Sequence, residues 1–317
     1  MAKHPQIVPW LRAIRFQFYP MSWIAYTAGA ACAALTCEVF DVGIYLSGYL
    51  CMFLMEMCTV LVNEYFDFQT DKLNQNWSAF TGGSRVLVDG LLSFREIRTA
   101  VFVVLLLLIS ASVLLLIQIN SPGNAWFAAG ILLVGLFFGV GYTAPPIKFC
   151  YRGLGELVVA ATNGPYVLLA GFFFQTQILN SQLPWLLCLP LFFAVFAAVT
   201  ISALPDYSAD KAVSKKTITV HFGPRMATIL AMSSAILAPL SASLFLMHDD
   251  LRVSGIILLA IAVPHTMFLV NSLLTVISKG LFDQRIDGVM RLALMFILWF
   301  GLIPLLGMLW LVLHRTT

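Results

Sequence analysis

Two short acidic clusters hold the side chains whose types and spacing best fit chemistry in this sequence. Residues 63–71 (NEYFDFQTD) end one apolar run, and residues 206–210 (DYSAD) end another. The polar side chains that recur every four residues are Asn63, Asp67, Asp71, Asp206 and Asp210. On a helix, such groups share one face and lie roughly 6 Å apart along the axis. Oxygen ligands in this arrangement suit a divalent cation that carries a phosphorylated substrate between two helices.

Spacing alone is a weak signal, because the same pattern occurs elsewhere in the chain. Asp283 and Asp287 are also four residues apart, but no apolar helix leads cleanly into their segment. An alternative interpretation of both clusters is that acidic residues merely keep the helix ends in water. The matched pairs after two apolar runs favour a metal–diphosphate site, with Asn63 as a neutral oxygen ligand or a partner of the ligands.

The composition requires elements that lie in a membrane. The 317-residue chain is 60% hydrophobic and has a mean hydropathy of +0.92. Only 10% of its residues are charged, whereas about 25% is usual in soluble domains. Apolar stretches such as 101–119 and 292–313 approach the roughly 20 residues with which a helix crosses a bilayer. The net charge of +3 is too small to indicate a nucleic-acid partner.

These stretches predict an all-α polytopic membrane protein with nine transmembrane helices. The predicted spans are 18–36, 42–62, 99–119, 124–143, 155–175, 184–204, 224–247, 252–277 and 290–313. Sixteen of the 18 Lys and Arg residues, Lys3 among them, fall on one side, and only Arg252 and Arg315 fall on the other. The positive-inside rule then places the N-terminus and both acidic clusters in the cytoplasm and the C-terminus outside. We expect an integral protein of the bacterial inner membrane.

The clusters follow the second and sixth predicted spans, so four helices separate equivalent positions. We expect one domain over residues 1–317, built from two four-helix halves at about 12–152 and 153–278 and a ninth helix at 290–313. The long polar loop 64–98 is expected to cover the site from the cytoplasmic side.

Several basic residues near the clusters are candidates for contacting a diphosphate directly. They are Lys72, Arg85, Lys148, Lys215 and Lys216. Arg85 and Lys148 are favoured, and the proline pair at 145–146 is expected to end a helix and hold Lys148 at the membrane surface. The alternative is that the positive-inside bias alone places these residues there.

Two glutamates in apolar spans are functional candidates, because ionisable residues are costly inside a membrane. Glu56 precedes Asn63 by seven residues and so lies on about the same helix face. Glu156 precedes Asn163 by the same interval, and Asn163 is a candidate for contacting the substrate. One of the two glutamates would orient an acceptor hydroxyl or accept a ring proton, and the alternative is a neutral glutamic acid hydrogen-bonded between helices.

Arg12 and Arg15 begin the first span and are candidates for binding a carboxylated acceptor. The alternative is that they anchor the chain at the membrane interface beside Trp10.

Four motifs in order along residues 12–225 resemble the UbiA superfamily of intramembrane prenyltransferases. They are Asn63-x3-Asp67-x3-Asp71, Tyr142-x2-Pro145-Pro146, Arg152-Gly-Leu-Gly-Glu156, and Asp206-x3-Asp210 followed by Lys215-Lys216-Thr217. Residues 81–93 (TGGSRVLVDGLLS) look most like the branch near the 1,4-dihydroxy-2-naphthoate prenyltransferases of menaquinone synthesis. Ser214 departs from the glycine that is frequent at this place in the family, which bears on the roles of Lys215 and Lys216.

The resemblance implies a fold, a cofactor and a reaction. The family implies nine helices around a central cavity capped by cytoplasmic loops, two Mg²⁺ ions held by the aspartates, and an isoprenyl diphosphate donor. Tyr142 would then belong to the substrate site. The allylic cation left by the departing diphosphate would be attacked by an aromatic ring inside the bundle.

Two other functions compete with this one. A terpene cyclase on the same scaffold would ionise the same donor and let the cation attack its own double bonds. A transporter or divalent-ion channel would be expected to carry its acids near the bilayer midplane, whereas the clusters here follow the ends of spans.

Overall fold

The computed structural model describes residues 7–315, and its named elements are all helical. Up to residue 141 the α-helices are α1 (Ile7–Ile14), α2 (Tyr19–Cys37), α3 (Val42–Phe66), α4 (Phe68–Leu73), α5 (Phe94–Gln118) and α6 (Pro122–Gly141). The later ones are α7 (Gly155–Ala161), α8 (Val167–Thr176), α9 (Leu183–Ser202), α10 (Tyr207–Ala212), α11 (Ile218–Phe222), α12 (Pro224–Ala242), α13 (Asp249–Lys279) and α14 (Asp287–Arg315). Lys3, which was counted in the charge argument, lies outside the described residues.

Eight helical segments within residues 7–315 are long and apolar enough to cross a membrane. They are α3, α5, α6, α7 with α8, α9, α12 with the 3₁₀ turn that follows it, α13 and α14. These correspond to the last eight predicted spans, and an all-helical integral membrane protein is confirmed. The first predicted span corresponds to α2, which is not among the eight. The count of nine therefore stays a prediction.

Local sequence signals set the helix ends that bound the polar loops. Ser93 and Glu96 form a capping box at the start of α5, in which the Ser93 hydroxyl accepts from Glu96 N and the Glu96 carboxylate accepts from Ser93 N. Thr217 caps α11 through the N–H of Val220. The loop 74–92 therefore ends at a firmly capped helix.

The span that contains Asn163 is interrupted by a π turn. Pro165 has no N–H to donate, so the regular helical ladder cannot continue through it. The chain passes from α7 to α8 through the π turn Thr162–Tyr166. Such turns re-aim side chains and are frequent at functional sites. Here the turn contains Asn163, one of the predicted site residues.

Glycines let α2 and α8 approach each other closely. A Cβ on Gly29 would lie 1.9 Å from the backbone oxygen of Leu168, and one on Gly171 would lie 2.2 Å from the backbone oxygen of Tyr26. Small residues at such crossings let two membrane helices pack backbone to backbone. The contact joins a helix near the start of the described chain to one from its middle.

Replacing Gly29 by alanine is expected to destabilise the protein. The new methyl group would meet backbone that cannot move without separating α2 from α8, which costs about 1–3 kcal/mol of unfolding free energy. Denaturant unfolding in detergent measures this loss. Gly130→Ala is the matched control. A Cβ at position 130 would have no described heavy atom within 4 Å, apart from its chain neighbours and the local backbone of its own helix. Equal stability of the two variants would contradict the close contact.

Candidate active site

Each acidic cluster lies where a long helix gives way to a short one. Asp67 stands between α3 and α4, and Asp206 stands just before α10. Asp71 N donates to Asp67 O at 2.9 Å, and Asp210 N donates to Asp206 O at 2.8 Å. Each pair is therefore one helical turn apart and shares one face, as the spacing predicts. The short helices α4 and α10 contact each other, which brings the two clusters together.

Lys215 links the two clusters by its charge. Its Nζ donates to Asp67 Oδ2 at 2.7 Å and lies 3.7 Å from Asp210 Oδ1. The other oxygen of Asp67 accepts from the hydroxyl of Tyr151 at 2.8 Å. One ammonium group thus neutralises a carboxylate from each half of the site.

A second set of contacts holds Asp206. The Asn74 side chain donates to Asp206 Oδ1 at 2.7 Å, and the Thr81 hydroxyl lies 2.5 Å from Asp206 Oδ2. Asn74 directly follows α4, so the segment after the first cluster orients the first aspartate of the second. Charge-assisted hydrogen bonds of this kind are stronger than neutral ones and fix the direction of the carboxylate.

The loop around residues 81–85 lies directly on Asp71. A Cβ on Gly83, which has φ +70°, would lie 2.0 Å from Asp71 Oδ2. The Arg85 guanidinium donates to the backbone oxygen of Asp71 at 2.8 Å. Ser84 N donates to Glu64 Oε2 at 3.1 Å, so a third carboxylate fastens the loop to α3. Only a residue without a side chain fits at position 83.

A cavity of about 300 Å³ lies beneath these contacts. Its polar wall includes Arg15, Glu56, Asn63, Asp67, Asp71, Asn74, Thr81, Tyr142, Asn163, Asp206 and Lys215, whereas Asp210 is not among the residues that line it. A smaller cavity of about 160 Å³ adjoins it, and most of its surface is apolar, although polar side chains such as Ser22, Thr59 and Thr162 also line it. Both cavities are lined by Glu56, Thr59, Asn63, Tyr142, Val159 and Asn163. A charged chamber therefore continues into an apolar one within the bundle.

Burial raises the pKa values of the carboxylic acids in and beside the charged chamber. It raises the pKa of Asp210 to about 7 against the opposing charge of Lys215, and it raises the pKa of Asp206. Burial and the neighbouring charges of Asp67 and Glu64 hold the pKa of Asp71 well above its usual range. Carboxylates in this setting bind their protons more tightly unless a cation joins them.

Two cations of the protein face these carboxylic acids. Burial opposes the charge of Lys215, yet Asp67 and Asp210 outweigh it and keep the pKa of Lys215 well above its usual value. Burial lowers the pKa of Arg15, although Asp71 works against that change. Both groups lie on the cavity wall and are available to an anionic ligand.

The donor set fits a hard divalent cation. Asn63 Oδ1 and Asp210 Oδ1 are buried and have no hydrogen-bond partner within the described part of the chain. All five predicted ligands are oxygen donors, which Mg²⁺ prefers. No three His, Cys, Asp or Glu side chains between residues 7 and 315 converge closely enough to hold a metal alone. Mg²⁺ commonly takes one or two carboxylates and completes its shell with substrate phosphates and water.

The structure separates the candidate pairs that the sequence left open. Arg15 lines the cavity, whereas Arg12 donates to Ser84 O and pairs with Asp89 at 3.4 Å. Glu56 lines both cavities and accepts a short hydrogen bond from Ser22.

Glu156 is absent from the residues that line these two cavities. Its Oε1 accepts from Ile218 N at 2.9 Å, so it fastens α7 to the start of α11. Its other carboxyl oxygen is buried without a hydrogen-bond partner among the described residues.

The remaining basic candidates lie around the two cavities rather than in their walls. Lys148 lies over the ring of Tyr151, 4.5 Å from its centroid. Arg85 donates to the backbone oxygen of Asp71 and lies over the ring of Trp77. Lys72 and Lys216 are exposed. Of the five basic candidates near the clusters, Lys215 is the one that reaches the charged chamber.

Four residues of the site were missed by sequence reasoning: Glu64, Asn74, Thr81 and Tyr151. Glu64 had a usable signal because it lies within the first acidic cluster. Asn74 had one because it is seven residues after Asp67 and so repeats the helical spacing. Thr81 lies in the glycine-containing loop that was expected to cover the site. Tyr151 had no such signal, because only folding brings it to Asp67.

Comparisons with known proteins point to one family. The sequence model of the UbiA prenyltransferase family matches residues 22–279. The 1,4-dihydroxy-2-naphthoate octaprenyltransferase of Bacillus subtilis is 28% identical over 217 residues, which are 68% of this chain and 66% of that protein. The 2-carboxy-1,4-naphthoquinone phytyltransferase of Synechocystis is 25% identical over 245 residues, or 76% of this chain and 75% of that protein. The expected likeness to the naphthoate branch is confirmed.

Solved structures share the fold at lower sequence identity. A UbiA homologue from Archaeoglobus fulgidus, bound to GPP and Mg²⁺, superposes with a TM-score of 0.61 and 17% identity, covering 93% of this chain and 99% of that one. An apo UbiA homologue from Aeropyrum pernix gives 0.63 and 17%, covering 88% and 94%. The agreement extends over nearly the whole chain.

Replacing Gly83 by alanine is expected to damage the site. The new methyl group would displace the Asp71 carboxylate, and such a change near a metal ligand costs about tenfold or more in metal affinity. Mn²⁺ binding followed by electron paramagnetic resonance measures the loss.

Gly90→Ala supplies the control for this comparison. Gly90 has a similar φ of +65°, but a Cβ there would meet nothing within 4 Å among the described atoms. Both variants therefore carry the same backbone penalty, and only Gly83→Ala carries the clash. Equal Mn²⁺ affinities in the two variants would contradict the role given to this loop.

Proposed function

The chain belongs to the UbiA prenyltransferase family, and we propose that it transfers an isoprenyl group from an allylic diphosphate to an aromatic quinone precursor of the naphthoate class. The observation that carries the proposal is the charged chamber, which is lined by Asp67, Asp71, Asp206, Arg15 and Lys215. Asp210 lies beside it, with Oδ1 3.7 Å from Lys215 Nζ. That chamber continues into an apolar cavity, as a diphosphate with an isoprenoid tail requires. The names of the two naphthoate and naphthoquinone relatives support the acceptor class.

The aspartates would hold the metal. Asp67, Asp71, Asp206 and Asp210, with Asn63, would bind two Mg²⁺ ions, which neutralise charge on a departing diphosphate when bound. Arg15 and Lys215 face the same space and would contact the anionic oxygens of the donor. Tyr142 and Asn163 line the passage between the cavities and would border the reacting carbon.

The reaction balances without a further reagent. The bond between the allylic carbon and the bridging oxygen breaks, and the diphosphate leaves with the electron pair. A ring carbon of the acceptor then supplies a π pair to the allylic cation, and the ring loses a proton to a base. The apolar side chains around the deeper cavity, such as Met52, Met55 and Phe138, keep water from quenching the cation.

Glu56 is the residue we assign to the acceptor. It stands where the two cavities meet, and its carboxyl group is tied to the Ser22 hydroxyl. From this place it would orient the acceptor hydroxyl or accept the ring proton. Glu156 already serves the backbone of α11 and is the weaker candidate.

The orientation and the internal repeat are part of the proposal. Arg315 pairs with Asp250 at 2.5 Å and Arg252 pairs with Asp249 at 2.8 Å, so the two basic residues assigned to the outer side lie together. The opposite end, with both acidic clusters, would face the cytoplasm of a bacterial cell. Each cluster follows the second long helix of its half if α2, α3, α5 and α6 form one half and α7 to α13 form the other.

A product assay tests the reaction. Purified protein is given farnesyl or geranylgeranyl diphosphate and Mg²⁺, with and without 1,4-dihydroxy-2-naphthoate. We expect a prenylated naphthoate that requires Mg²⁺ and falls at least about 100-fold in Asp67→Asn, because Asp67 is both a proposed metal ligand and the partner of Lys215. Cyclised hydrocarbon formed without acceptor would instead make the protein a terpene cyclase. No diphosphate release from any donor would refute both reactions.

Glu56→Gln tests the acceptor role. Loss of a general base or of an orienting carboxylate is expected to lower kcat/KM for the acceptor by about 100-fold while donor KM changes little. Glu156→Gln is the matched control, since the amide oxygen still accepts from Ile218 N. Unchanged turnover in Glu56→Gln would remove Glu56 from the mechanism.

A further inference from the structure

The remaining acidic pair is Asp283 and Asp287, and one of the two, Asp283, contacts the candidate site. Asp283 lies between α13 and α14, far from both clusters in the sequence. Its Oδ1 accepts from Ser208 N at 3.0 Å, and its Oδ2 accepts from the Ser208 hydroxyl at 2.5 Å. Its own N–H donates to Leu204 O at 3.3 Å. Three contacts therefore fasten Asp283 to the start of α10.

These contacts supply the cap of α10 that the Asp206 side chain does not provide. Asp206 occupies the N-cap position of α10, where an aspartate normally accepts from the first free N–H groups of its own helix. Its carboxylate makes no such cap in the described structure, because both of its oxygens are taken by Asn74 and Thr81. The N–H of Ser208, the second residue of α10, is satisfied by Asp283 instead. Asp206 is thereby left to face the cavity.

The same segment also reaches the first half of the site. The Asn76 side chain donates to Asp283 O at 2.8 Å and to Pro205 O at 3.3 Å. Asn76 follows α4 by only three residues, so the segment beyond the first cluster is joined both to Asp283 and to the turn before Asp206. Asp283 has φ +59°, a conformation that aspartate tolerates better than most residues.

We propose that Asp283 is a positioning residue, which caps α10 in place of Asp206 and so keeps the Asp206 carboxylate directed at the metal–diphosphate site. The role rests on the proposed function, because it concerns the same aspartate. Asp287 provides the contrast, since it pairs with Arg285 at 2.6 Å and makes no hydrogen bond to α10 among the described contacts. Asp283 and Asp287, which are four residues apart, therefore make different contacts.

Three variants test this role. Asp283→Gly removes the carboxylate and still permits a positive φ, so the backbone is not strained. Asp283→Asn keeps an oxygen that accepts from Ser208 N. Asp287→Asn removes one charge from the same segment without touching α10. The first readout is Mn²⁺ affinity by electron paramagnetic resonance in detergent, and the second is the Mg²⁺ dependence of prenyl transfer.

The expected result is a loss of Mn²⁺ affinity of about tenfold in Asp283→Gly, since partners of metal ligands typically contribute that much. Asp283→Asn restores most of it, and Asp287→Asn binds like the wild type. The half-saturating Mg²⁺ concentration for turnover rises in the same order. A thermal transition without metal confirms that each variant is folded, and Ser208→Ala gives a smaller loss in the same direction should Asp283→Gly fail to fold.

Two outcomes would overturn the proposal. Wild-type Mn²⁺ affinity in both Asp283→Gly and Ser208→Ala would show that the cap does not position Asp206. An equal loss in Asp287→Asn would show that only the net charge of the segment matters. The metal readout separates this inference from the proposed function, because an inactive wild type that binds Mn²⁺ refutes the transfer reaction and leaves the effect of Asp283 measurable.

Discussion

The structure depends on holding several carboxylic acids together at the end of an apolar bundle. Asp67, Asp71, Asp206 and Asp210 are buried or nearly so, and like charges in surroundings of low polarity repel one another strongly. Lys215 relieves part of this repulsion from a position between Asp67 and Asp210. The residual negative charge would attract divalent cations, and the same charge has to be tolerated when no metal is bound.

The scaffold meets that requirement with contacts from many segments of the chain. Tyr151 and Lys215 hold Asp67, whereas Asn74 and Thr81 hold Asp206. Gly83 lets the loop after α4 lie directly against Asp71. Asp67 and Asp206 are each oriented by residues distant in sequence, so the site exists only when the long helices have brought their ends together. The close packing of α2 on α8 is one of the contacts that fixes the bundle.

Apolar and polar features are divided between the two connected cavities. The charged chamber is lined by Asp67, Asp71, Asp206, Arg15 and Lys215, and most of the surface of the smaller cavity is apolar. The π turn at Thr162–Tyr166 places Asn163 where the two spaces join. This division matches a substrate with a charged head and an isoprenoid tail, because each part meets surroundings of its own polarity.

The sequence by itself determined the membrane class, eight of the nine predicted helical spans and the spacing of the two aspartate pairs. Composition and a four-residue spacing are local properties, and they survive in any fold that keeps the helices. It did not distinguish Arg15 from Arg12 or Glu56 from Glu156, and it favoured Arg85 and Lys148 over Lys215. Tertiary structure alone decided which of these reach the cavity, which aspartate is held by Thr81, and that Asp283 caps α10. The physical reason is that these contacts join residues far apart in the sequence, such as Lys215 and Asp67 at 148 positions, and only the packing of the long helices sets their distances.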